Sequence, residues 1–106
     1  MRYILPIFLT TLLFADFRSE QIAQIDKIIT TYQKRLECLQ TKEAASCIDQ
    51  FPLDKKSDAL AKTFSMSFPK AFYSAKLKRD MKILEKQKLC IGKALSEMEA
   101  KKCLNF

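Results

Sequence analysis

The sequence predicts an all-α fold, a small disulfide-stapled domain of two long amphipathic helices, each followed by a short helix, behind an N-terminal signal peptide. Three observations carry this. The chain of 106 residues holds one Gly and three Pro, too little turn chemistry for hairpins, while Lys, Leu, Ala, Glu and Gln fill its middle and end. Apolar residues recur at spacings of 3 and 4 over two long stretches. Its four cysteines fall into two local pairs, Cys38 with Cys47 and Cys90 with Cys103, each placed where one helical pattern stops and another begins.

The first fifteen residues read as an export signal. Met1-Arg2 is a short positive start, Tyr3 to Phe14 is uncharged and mostly apolar, and Ala15 is the expected last residue before cleavage, with Leu13 where Ala is preferred. A membrane anchor is the alternative, but about a dozen apolar residues make a helix of ~18 Å against a hydrocarbon core of ~30 Å. With no Cys near residue 15, the acylated-lipoprotein route is not expected either. The expected domains are therefore 1–15, signal peptide, and 16–106, a single helical domain that is periplasmic or secreted. A domain of this size is marginal on core burial alone, and disulfides supply what is missing in an oxidising compartment.

The first helix of the mature chain is expected over Ser19 to Gln40, with Ser19 as N-cap and Glu20 in the first turn. Ile22, Ile25, Ile29, Tyr32, Leu36 and Leu39 form its apolar stripe, widened by Ile28. The stripe is expected to pack on its own domain, and a weak homodimer seam through the same six residues is the alternative. A short helix over 42–51 follows, with Ala44, Ile48 and Phe51 on one side and Pro52 as its stop. Asp54 caps the next helix, within Leu53 to Ser67, whose apolar residues are Ala59, Leu60, Ala61 and Phe64. Phe64-Ser-Met-Ser-Phe68 alternates like a strand, but with no second strand to pair it reads as a frayed helix end or an extended connector.

Pro69 suits the first position of a long helix running a little past Cys90, with Phe72, Tyr73, Leu77, Met81, Leu84, Ile91 and Leu95 on the buried side and Gly92 as a weak point. Ser96 and Glu99 match a capping box that opens a last short helix, ending near Leu104. The two cysteine loops echo each other, as a duplicated corner would.

Four cysteines allow three connectivities. In one straight helix Cys38 and Cys47 would lie ~13 Å apart, and Cys90 and Cys103 ~20 Å, whereas a disulfide needs Cα atoms within about 7 Å. Local pairing, the favoured arrangement, therefore requires the chain to reverse near residues 41–43 and again near Ser96. Pairing Cys38 with Cys103 and Cys47 with Cys90 instead resembles the coiled-coil-helix-coiled-coil-helix architecture of small imported mitochondrial proteins. There two helices are cross-linked at both ends, which asks for near-equal spacing; here the spacings are 9 and 13. The third pairing joins Cys38 to Cys90 and Cys47 to Cys103.

Catalysis is not expected. The chain has no His, no glycine-rich phosphate loop, no nucleophile elbow and no carboxylate pair in an apolar setting, and neither cysteine pair is Cys-x-x-Cys. No metal site and no cofactor are expected. The net charge of +7 is uneven: residues 55–93 hold 11 basic and 3 acidic residues. Lys70, Lys76, Lys78, Arg79, Lys82, Lys86 and Lys88 make the long second helix the candidate anion-binding element. The expected function is that of a small exported, non-catalytic binding or structural module working through contact with an unknown protein partner. The alternative is an envelope protein whose basic helix, about 70–93, engages anionic lipid, lipopolysaccharide or nucleic acid.

Overall fold

A computed structural model of the chain describes the backbone of residues 4–105 and the side chains of residues 16–105. Five α-helices and no strand occur among the described residues: α1 (Ile4–Cys38), α2 (Ala44–Gln50), α3 (Lys55–Ser67), α4 (Lys70–Lys93) and α5 (Glu97–Lys102), closed by a 3-10 turn at Cys103–Asn105. None of these helices is long and apolar enough to cross a membrane. The signal-peptide reading rests on residues 1–15, whose side chains lie outside the described residues.

The chain divides into two compact units. One takes α1 up to Asp26 together with the chain from Leu84 onward; the other is Lys27–Ile83. Each holds one disulfide. Cys38 bonds to Cys47 and Cys90 to Cys103, both with Cα atoms 5.7 Å apart, and no cysteine is free. The cross-linked hairpin and the third connectivity are thereby excluded. Helix breaks inside both loops allow the local closure.

In the 27–83 unit, α1 ends at Cys38 and the chain turns over residues 39–42, a turn held by Thr41 and Lys42 N–H groups that both donate to the Cys38 carbonyl. Leu39, Ala44, Cys47, Ile48, Tyr73 and Leu77 form the core, with Tyr32, Leu36, Ala61 and Phe64 packed around it. Asp54 caps α3 as expected, its carboxylate accepting the Ser57 N–H at 2.8 Å. The strand-like alternation at 64–68 is overridden: α3 stays helical through Ser67, and only Phe68 is extended, ahead of Pro69.

In the other unit, Ile25, Ile91, Ala94, Ala100 and Cys103 are buried. Half of the expected capping box is present, with Ser96 Oγ accepting the Glu99 N–H at 3.2 Å, while Glu99 Oε2 reaches past Ser96 to accept the Leu95 N–H at 2.8 Å.

Three expectations are corrected. Helix α1 does not begin at Ser19, because no Gly or Pro lies between Ile7 and Cys38 to interrupt it. Leu95 is 86% exposed, since α4 stops at Lys93 and Ala94, the residue before Leu95, takes the inward position. Phe72 is 57% exposed because Tyr73, one residue on, takes the inward position of that turn.

Candidate protein-docking corner

The 27–83 unit is built around a buried cation that periodicity alone did not single out. Arg35 is 2% exposed and sits on the apolar side of α1, between Tyr32 and Leu39. Each of its three nitrogens donates a hydrogen bond: Nε to the Phe51 carbonyl at 2.8 Å, NH1 to the Tyr73 hydroxyl at 3.3 Å, and NH2 to Asp58 Oδ1 at 2.7 Å. Asp58 also accepts the Leu53 N–H on both oxygens. One side chain of α1 thus fixes the end of α2, the start of α3 and the first turns of α4. Burial pushes the Tyr32 and Tyr73 hydroxyls above their ordinary pKa, with Arg35 partly opposing the shift in each.

With α3 and α4 fixed in this way, their junction at Phe68-Pro69 carries a run of aromatic rings. Phe64 lies 4.8 Å from Phe68 and 6.4 Å from Tyr73 between ring centroids, and Phe68 lies 6.0 Å from Phe72, edge to face. Such pairs hold one another in place, yet much of this surface faces solvent: Phe68 and Phe72 are exposed, and Leu60 is 65% exposed. Two grooves meet here. One, of about 360 Å³, lies between Tyr32, Leu60, Ala61, Phe64, Tyr73 and Leu77. The other, of about 310 Å³, is lined by Phe64, Phe72, Ala75, Lys76 and Arg79. Phe64 and Lys76 line both.

The stretch that forms this corner is rich in cations, of which Lys76 and Arg79 line the grooves. Residues 55–83 hold eight basic and two acidic residues. Both acids are occupied: Asp58 by Arg35, and Asp80 by Lys76 at 2.6 Å, with Arg79 3.9 Å from its other oxygen.

The seven basic residues expected as an anion-binding set do not share one face. At about 100° per residue, Lys70 and Lys88 flank the buried stripe of α4 on one side and Lys76 on the other, while Lys78, Arg79, Lys82 and Lys86 point away from it. Lys76 pairs with Asp80, and Lys88 with Asp26 at 2.6 Å. Lys70, Lys78, Arg79 and Lys82 are exposed within the 27–83 unit, and Lys86 is exposed in the other. Of the six residues offered as a homodimer seam, Ile25, Ile29 and Leu39 are buried in the chain's own packing, and Ile22, Tyr32 and Leu36 are half-buried. Among the described residues no three Cys, Asp or Glu side chains converge as a metal site.

Leu60, Met66 and Phe68 were not singled out as surface residues by the sequence pattern. The available signal was an excess: α3 carries Ala59, Leu60, Ala61, Phe64 and Met66 over two turns, more apolar residues than one packed stripe uses.

Compared with known proteins, the chain matches no family model, no curated sequence and no solved structure.

Proposed function

We propose that this chain is a small periplasmic or secreted helical module that acts without catalysis, by binding a protein partner at the corner between α3 and α4. The observation that carries the reading is the exposure of Leu60, Phe68 and Phe72 beside two grooves that share Phe64 and Lys76. An apolar surface concentrated like this is a cost in a solitary domain and a benefit at an interface. Two disulfides are compatible with an oxidising location, and the signal-like character of residues 1–15 supports export. The arginine buried beneath the corner is spent on holding three helices, which suits a rigid platform better than a reacting group.

A second reading is favoured by the exposed Lys78, Arg79 and Lys82, which suit engagement of anionic lipid, lipopolysaccharide or nucleic acid. One experiment separates the two. A photo-reactive amino acid at Phe68, which is exposed and packs on groove-lining Phe64 and Phe72, is expected in the oxidised full chain, exposed to its native envelope, to form a discrete protein adduct that survives moderate salt. If no adduct forms, and the protein is instead retained on heparin or anionic vesicles in a way abolished by salt and by Lys76/Lys78/Arg79/Lys82→Ala, the second reading replaces the first.

A further inference from the structure

We infer that the partner surface accepted at this corner is the apolar face of an acidic amphipathic helix. The inference rests on the docking reading above and names the chemistry of the occupant. Three features of the corner converge on it.

Recognition by strand addition needs a sheet edge as template, and no strand exists among the described residues. What the corner offers is a concave apolar track whose contact points are spaced by helical turns. Leu60 and Phe64 are one turn apart on α3, and Phe72, Ala75 and Arg79 follow at 3 and 4 on α4. Side chains at i, i+3, i+4 and i+7 of a docking helix match that spacing. The two grooves that meet at Phe64 give such a helix two places to seat bulky residues.

Charge then selects among amphipathic helices. The cations that line the grooves are Lys76 and Arg79, and the two carboxylates of residues 55–83 are already paired, Asp58 with Arg35 and Asp80 with Lys76. Arg79 is the best placed. It lines one groove and is exposed, and the one carboxylate within 4 Å of it among the described residues, Asp80, is held more tightly by Lys76. A basic helix would meet like charge at Lys76 and Arg79, and so would the same basic stretch of a second copy of this chain. An acidic helix gains on both counts.

The test uses the oxidised full chain and three fluorescent peptides of about 18 residues, five helical turns. The first places Leu on one face and Glu on the other; the second has the same composition with the pattern scrambled; the third exchanges Glu for Lys. Anisotropy titration is expected to show the Leu/Glu helix binding at least tenfold more tightly than either of the others. Leu60→Gln and Phe72→Gln, both at exposed helical positions where folding does not need the side chain, are each expected to weaken it about tenfold. Arg79→Glu is expected to weaken it while the Leu/Lys peptide gains. Equal binding of the scrambled peptide overturns the inference, because charge alone then explains retention. Binding to phosphatidylglycerol vesicles without binding to the Leu/Glu peptide overturns it in favour of a lipid surface. If no peptide binds but the Phe68 adduct still forms, the helical occupant is wrong and the docking reading stands; if neither occurs, both fall.

Discussion

Cys38 closes α1 and bonds to Cys47 inside α2; Cys90 lies in the last turn of α4 and bonds to Cys103 just past α5. The two corners follow one plan. The residue after the first cysteine is buried in both, Leu39 and Ile91, and so is the alanine three residues ahead of the second, Ala44 and Ala100. In both, an arginine of α1 donates to a carbonyl just past a helix end: Arg35 to Phe51 after α2, and Arg18 to Ala94 after α4, at 2.5 Å. They differ in what surrounds the staple. The first corner is backed by Ile48, Tyr73 and Leu77 and by the Arg35–Asp58 pair. At the second, the residue after the closing cysteine, Leu104, is partly exposed, Leu95 and Met98 face solvent, and the buried residues are mostly small. In the first corner the disulfide therefore locks a core that packing already defines, whereas in the second it stands in for packing.

The sharpest way to break this comparison is at the buried pair. Asp58→Ala leaves the Arg35 guanidinium beneath the surface without its counter-ion, and such a change costs about 3–5 kcal/mol. Arg18→Ala, which removes a charge-assisted bond to a carbonyl in the other unit, is expected to cost about 1–3 kcal/mol. Urea unfolding under oxidising conditions reads both. Joint replacement, Arg35→Met with Asp58→Leu, should recover much of the loss, because the cost lies in stranding one charge rather than in losing the pair. If Asp58→Ala is no worse than Arg18→Ala, the first corner is not organised by its ion pair.

Removing each staple comes next in size. By the loop-entropy estimate the bridges contribute about 2.6 and 2.9 kcal/mol for separations of 9 and 13 residues, so global unfolding hardly tells them apart. Local opening does. In Cys38→Ala/Cys47→Ala, the amides of 44–50 should keep measurable hydrogen-exchange protection, because Ala44 and Ile48 remain in the core. In Cys90→Ala/Cys103→Ala, protection over 97–105 should collapse to that of a frayed end. Equal loss in the two variants would mean that both staples do the same work.

Much of this difference was legible in the sequence, and the part that was not is instructive. Local pairing of the cysteines was favoured by arithmetic, since chain reversals, cap residues and the reach of a disulfide all suit it, but the two other connectivities stayed open until the fold placed the sulfurs. The caps at Asp54 and Ser96 were legible because capping is a local exchange between a side chain and an N–H three residues on. Arg35 was not, since a cation on an apolar stripe reads as noise until its carboxylate is found, and Asp58 lies 23 residues away on another helix. The aromatic corner was hidden for the opposite reason. Phe72 has the right period for the core, and only the placement of Tyr73 decides which of two adjacent rings turns inward. Periodicity fixes a helical face to within about one residue, and the candidate site lies inside that margin.

The smallest expected effect concerns the caps themselves, which match in backbone and differ in chemistry. Asp54 and Ser96 have nearly the same dihedrals, φ −150° and ψ 162° against φ −149° and ψ 163°, and each accepts the N–H of the residue three ahead. Ser96→Ala is expected to cost about 1 kcal/mol. Asp54 adds a pH dependence. The Ser57 N–H and hydroxyl both donate to its carboxylate and hold its pKa below the usual carboxylate value. A pKa depressed in the folded state means a contribution that is fully present above the unfolded value, near pH 3.9, and lost as pH falls through the folded value. Asp54→Asn keeps a capping oxygen without the titration. The stability of the natural chain relative to Asp54→Asn should therefore be constant at mildly acidic and neutral pH and shrink below about pH 4. Thermal midpoints of the two proteins across that range decide it, and parallel curves would show that the carboxylate's charge contributes nothing to the start of α3.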